Sequence, residues 1–381
     1  MTLTPRETAG EEQAGRPWRP VWSPGHARPG LPPLTVVHDQ DDDHAFMAAA
    51  LAAHTPAHGR ITVHPTPVAS APASLAHDLL RAVGKHLPAD GSPEGAGWAA
   101  QAEIAWRAVA AWMSVLRIGH LVITRAHRIS SRHVEHLLAL REVTGMRLTL
   151  LCHGPVPDAL ATVLPALAHE QVHTLAATRH TLTAAGPYEP YGAGAAGRFA
   201  WWEAAAQYPP HLGEPCFWLP QRRGPSRAVL EAAAQRLGHP VLPLPAPGRF
   251  TPEPDERTLL LAHRLHARIA HPVHAAALAL RVLTGRPTVQ LQGPAAPAPS
   301  SRTPPGHPQE IPAWSVDLLA AGRRFAALDR IRTEGPLRLS EWDQQAVAEA
   351  ARACALHEVE APGPRPERAS TRPGRSTPTT R

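Results

Sequence analysis

The chain has 381 residues, of which 43% are hydrophobic and 18% charged, enough to build a real core in one large domain or two. Its 38 basic and 32 acidic residues leave a formal net charge of +6, and Lys85 is the only lysine, so arginine carries nearly all the positive charge. Cys152, Cys216 and Cys354 lie far apart with no CxxC pair, which excludes a disulfide scaffold. The opening MTLTPRETAGEEQAG lacks the apolar stretch of a secretory signal, and no uncharged apolar run reaches the length of a membrane span. A cytoplasmic protein with no membrane partner is expected.

Residues 1–32, rich in Pro, Gly and charge, read as a disordered lead. Leu34–Val37 is a short apolar strand, Ala45–Ala53 a helix and Arg60–His64 a second strand closed by Pro65 and Pro67. Leu75, Leu79, Leu80 and Val83 recur with helical period across Ser74–Leu87. Trp98–Leu116 predicts a long helix and His120–Thr124 a third strand. Ser131–Val143 follows as a helix, with Ser130 or Ser131 as N-cap and Gly145 as C-cap. Arg147–Cys152 is a fourth strand, 157–168 reads as helical and Gln171–Leu175 as a fifth strand. Such alternation predicts an α/β fold with a parallel sheet covered on both faces.

The segment 33–180 therefore forms the expected α/β domain. In 181–292, Cys216–Leu219, a helix at 225–237 and Val241–Leu244 suggest a further βαβ unit, followed by a helical stretch at 254–284 interrupted near Pro272. A Pro/Ser linker spans 293–312. Trp314–Arg332 and Ser340–Leu356 read as a helical pair within 313–357, and 358–381 is an Arg/Pro/Ser/Thr tail.

The loop after the first strand is where a P-loop would lie. That motif needs two glycines, a lysine for the β/γ-phosphates and a Ser or Thr for Mg²⁺. Here His38 and Asp43 stand at the glycine positions, His44 at the lysine position and Ala45 at the hydroxyl position. Asp39, Asp41, Asp42 and Asp43 make the loop acidic, opposing a triphosphate. Lys85 is no substitute, because Leu79 and His86 break the motif around it. After Leu121-Val122-Ile123 comes Thr124-Arg125-Ala126-His127, in the frame of a Walker B strand followed by Asp-Glu and Ala-His. The element order and this frame resemble AAA-type P-loop ATPases, including the ATP-binding helpers of transposition systems. The resemblance covers about 34–176 and implies a P-loop-like sheet. Thr124 replaces the Mg²⁺-binding Asp and Arg125 the catalytic Glu, so it implies a degenerate member without bound cofactor. An unrelated doubly wound fold stands as the alternative.

Other chemistry competes. His169-Glu170-Gln171-Val172-His173 matches HExxH, which on a helix puts two histidines on one face to hold Zn²⁺ and leaves Glu170 as general base. Glu189 or Glu203 could supply a third ligand. Carboxylates in the His38–His44 loop could hold a hard cation, although the spacing is not that of an EF-hand and a solvated turn with Asp43 capping the next helix is the expected form. His263, His266, His271 and His274 crowd one stretch that Pro272 divides. Arginines cluster at 125, 128 and 132, at 323, 324, 330 and 332, and in the tail at 365, 368, 372, 375 and 381. They predict weak, non-specific contact with nucleic-acid backbones. The sequence thus supports a non-catalytic ATPase-like protein acting through an unknown protein partner or nucleic acid. A zinc-dependent hydrolase and an unrelated α/β interaction module are the alternatives.

Overall fold

Extended apolar segments alternating with helices assemble, in a computed structural model, into one five-stranded parallel sheet. The structure describes residues 18–23, 30–67, 71–85, 87, 97–183, 242–243, 262, 264–284, 313–329, 341–353 and 356–357. In chain order the first elements are β1 (Leu34–Asp39), α1 (His44–Ala52), β2 (Arg60–Val63), α2 (Pro72–Ala82), α3 (Gly97–Ala100) and α4 (Ala102–Val115). They are followed by β3 (His120–Ile123), α5 (Ser131–Thr144), β4 (Arg147–His153), α6 (Asp158–Ala161), β5 (His169–Val172) and α7 (Leu175–Thr183). The sheet order is β2-β3-β4-β1-β5, every pairing parallel.

Successive side chains on a strand face opposite sides of a sheet. Val36 and Leu150 accordingly belong to a large core with α2, α4 and α5, whereas Val37 and Leu151 join Phe46, Ala50 and Leu182 in a smaller one beneath α1 and α7. Burial of both faces explains why β1, β3 and β4 read as unbroken apolar runs rather than alternating ones. β5 is the exception, an edge strand whose His169, Glu170 and Gln171 are exposed.

The strands expected at 34–37, 60–64, 120–124 and 147–152 are all present, within two residues at each end. The fifth begins at His169 instead of Gln171 and stops at Val172, because Thr174 opens α7 and its Oγ accepts the Ala177 N–H. The 157–168 helix breaks into α6 and a short 3₁₀ turn at Leu164–Ala166, where Pro165 has no N–H to continue the ladder. The single helix expected over 98–116 divides at Gln101 into α3 and α4. Both caps of α5 form as expected: Ser130 Oγ accepts the His133 N–H, and Gly145 takes φ 75°.

Between α1 and β2, Gly59 sits at φ 69°, and a Cβ there would meet the Arg117 carbonyl oxygen at 2.6 Å. Its own carbonyl accepts the Gly119 and His120 N–H groups, which aligns β3 beside β2. Gly59→Ala should lower stability by about 1–3 kcal/mol, read as a shift of the urea midpoint; an unchanged midpoint would show that this backbone approach is not tight.

Three further helices, α8 (Pro272–Thr284), α9 (Ala313–Asp329) and α10 (Glu341–Ala353), are present among the described residues. Helical residues also run over 264–268, and the interruption expected near Pro272 falls at 269–271; Pro272 then starts α8, the first-turn position where its missing N–H costs nothing. α9 packs against both α4 and α8, so Leu318 and Phe325 share the large core with the sheet. Arg107 on α4 pairs with Asp329 at 2.5 Å, and Arg324 donates to the Val143 carbonyl. β6 (Leu242–Pro243), inside the strand expected at 241–244, pairs in parallel with β7 (Leu356–His357). The elements expected at 216–219 and 225–237, the 293–312 linker, Glu189, Glu203, His263 and the 358–381 tail lie outside the described residues.

Candidate functional site at the carboxyl edge of the sheet

In open parallel sheets the chemistry gathers beyond the carboxyl ends of the strands. Here that edge carries the ends of β1, β3 and β4, with β4 lying between the other two. Asp39 closes β1 and is the register partner of His153 on β4. Adjacent pairing on one face brings the Asp39 Oδ2 to 2.8 Å from His153 Nδ1. Both side chains are buried, at 2% and 4% exposure. Asp42, exposed in the following loop, takes φ 53°, and its Oδ1 lies 2.9 Å from the same nitrogen.

Three amides of the loop and the helix start bond within the loop itself. The Asp43 N–H donates to Asp39 Oδ1 at 2.9 Å, the Ala45 N–H to Asp43 Oδ1 at 2.8 Å, and the Phe46 N–H to the Asp43 carbonyl. Asp43 is thus the expected N-cap of α1. A helix start that could cradle a phosphate through free amides already holds two carboxylates of its own loop. His44 is exposed and Ala45 half-buried, and neither completes an anion site.

At the end of β3, the buried Thr124 hydroxyl donates to the Val63 carbonyl at 3.2 Å and lies 3.0 Å from His64 Nδ1. Arg125 adopts φ 48° and its guanidinium stands 3.9 Å from the Asp42 carboxylate. Asp42 is 59% exposed, so this pair contributes little stability; its meaning is positional. A carboxylate occupies the loop after β1 and an arginine the end of β3, the reverse of the charges a nucleotide with its metal would require. An arginine cannot serve as a general base. Beside it, His127 Nδ1 accepts the His153 backbone N–H at 3.1 Å, and burial followed by the charge of Arg128 pushes the His127 pKa below the ordinary histidine value.

No family model, curated protein or solved structure matches this chain.

The HExxH expectation fails on local geometry. His169–Val172 is a strand rather than a helix. Four residues of strand span about 13 Å, too far for His169 and His173 to share an ion. His169 Nδ1 donates to the Leu167 carbonyl, and the exposed His173 stacks on His38 with ring centroids 4.5 Å apart. Glu170 is exposed on the same edge strand. The histidines near Pro272 are also divided. His266 Nε2 bonds the Trp314 carbonyl, whereas His271 and His274 stack at 4.0 Å with Trp98 and Phe325 against His271, as core groups.

Sequence reasoning did not single out His153 or its pairing with Asp39. Its signal was a polar residue ending an apolar strand, at Cys152-His153-Gly154, but only strand order shows that this strand lies beside β1. Cys152 faces the core, and burial pushes its thiol up to about 12, so it is no nucleophile.

Proposed function

We propose that the chain is a non-catalytic protein on a P-loop-ATPase-like sheet, acting through contacts with a macromolecular partner and not through nucleotide turnover. The observation that carries this is the closure of the loop after β1 on itself: its Asp43 and Ala45 amides are bonded to Asp39 and Asp43 carboxylates. A triphosphate would have to displace both carboxylates and then sit beside aspartates at 39, 41, 42 and 43, with His44 and Ala45 where the motif has its lysine and hydroxyl. The strand order supports the resemblance, since one strand separates β1 from β3 and both candidate loops open on one edge.

Nucleic acid is the weaker choice of partner. Arg107, Arg141 and Arg324 spend their guanidinium groups on Asp329, the Pro32 carbonyl and the Val143 carbonyl. These three are therefore not free to neutralise phosphates, and one of them, Arg324, belongs to a cluster that the sequence offered for that role. No helix among the described residues is long and apolar enough to cross a membrane, and a protein partner is the preferred reading.

Calorimetric titration with ATP and Mg²⁺ should give no saturable heat up to millimolar nucleotide, and no phosphate should be released on incubation. Saturable binding that disappears when residues 38–45 are altered would overturn the proposal.

A further inference from the structure

We propose that Asp39, Asp42 and His153 form a binding site for a divalent transition metal of the Zn²⁺ or Co²⁺ type. The inference stands on local geometry and does not require the ATPase resemblance. The three ligand atoms, one from the end of β1, one from the loop and one from the end of β4, lie within 4.8 Å of one another. Two of the three side chains are fixed by the sheet: Asp39 and His153 are register partners, and the Gly154 N–H donates to the Asp39 carbonyl at 2.9 Å, holding the two strand ends together.

Two features point to a ligand beyond the acidic character of the loop. First, His153 Nδ1 lies within 2.9 Å of oxygens from two different carboxylates. That nitrogen carries at most one hydrogen and one bonding direction, so it can satisfy one oxygen well and leaves the other negative group facing it. Second, the His153 side chain is 4% exposed and its Nε2 has no hydrogen-bond partner among the described residues. The ring is therefore held through Nδ1 alone, the nitrogen that faces the two carboxylates, with the His127 ring edge-on beside it at 5.7 Å.

A divalent ion among the three atoms replaces one shared proton by two positive charges and answers both carboxylates at once. Zinc–ligand distances near 2.1 Å in a tetrahedron set ligands about 3.4 Å apart, so each carboxylate oxygen need move about half an ångström away from His153 Nδ1, from 2.8 and 2.9 Å. The exposed Asp42 loop can supply that movement. One imidazole nitrogen with two carboxylate oxygens is a borderline set that favours zinc, cobalt or manganese over calcium, and three protein ligands leave a position for water.

The test is titration of metal-free full-length chain with Co²⁺, followed by its visible absorption, then displacement by Zn²⁺. One Co²⁺ per chain should bind with a d–d spectrum of low coordination number. Asp42→Asn keeps the side-chain shape and tolerates the left-handed backbone, so the variant should fold. It should weaken Co²⁺ binding at least about ten-fold. The His169→Ala/His173→Ala double variant should bind as the unaltered chain does. Absence of Co²⁺ binding at millimolar metal would overturn the site, as would equal affinity in the Asp42→Asn variant. ATP binding bears only on the preceding proposal, so the two can fail separately.

Discussion

Replacing Trp112 with alanine is expected to cost about 3–5 kcal/mol, a large share of the 5–15 kcal/mol typical of a folded domain. Trp112 is fully buried in the last turn of α4, the helix against which α2, α5, α8 and α9 all pack. Its Nε1 donates to the Ala270 carbonyl at 2.7 Å, at the start of the chain that leads into α8. Its ring also lies under the Lys85 ammonium, 3.6 Å from the centroid. Truncation opens a cavity where three segments meet, so unfolding should begin at a much lower denaturant concentration. Trp112→Phe keeps an aromatic ring but leaves the Ala270 carbonyl without its donor, a loss of about 1–3 kcal/mol. Equal midpoints for the two variants would show that the hydrogen bond, and not the packing, dominates.

Stability should rise with pH between about 7 and 10, and Lys85 should be the cause. The side chain is fully buried, and desolvation lowers its pKa from 10.5 to about 7 despite the opposing charge of Asp317. Its Nζ donates to the His266 carbonyl at 2.6 Å. The sign follows from proton uptake. Below pH 7 both folded and unfolded chains hold the proton, and the folded state bears the full cost of a buried charge. Between about 7 and 10 the folded lysine is neutral while the unfolded one still binds a proton, so deprotonation favours the folded state. The slope is at most about 1.4 kcal/mol per pH unit for one such group. Subtracting the Lys85→Met profile isolates this contribution from the other titrating groups. The difference should climb across that window and level off at either side; parallel profiles would mean that the ammonium is solvated in the native state.

The sheet was legible because burial on both faces turns β1, β3 and β4 into continuous apolar runs, bounded by Pro, Gly and capping residues. Ser130 and Gly145 marked α5 from side-chain chemistry alone. β5 was misplaced because its exposed His169-Glu170-Gln171 has no hydrophobic pattern, and the same polarity made HExxH look like a helical zinc motif. The acidic loop was visible, including the cap by Asp43, but its partner was not. His153 lies more than a hundred residues downstream of Asp39, and only the insertion of β4 beside β1 brings them together. Arg324 illustrates the same limit: in sequence it belongs to a basic cluster, in space it holds the end of α5 to α9.

The central claim is that the anion-binding amides of the loop after β1 are already occupied by the loop's own carboxylates. Amide resonances of Asp43 and Ala45 in the ¹⁵N-labelled chain, followed while ATP and Mg²⁺ are added to millimolar concentration, test it directly. Both resonances should stay in place. Saturable movement of the two together, with a half-point below millimolar ATP, would contradict the claim and mark the edge as a working nucleotide site.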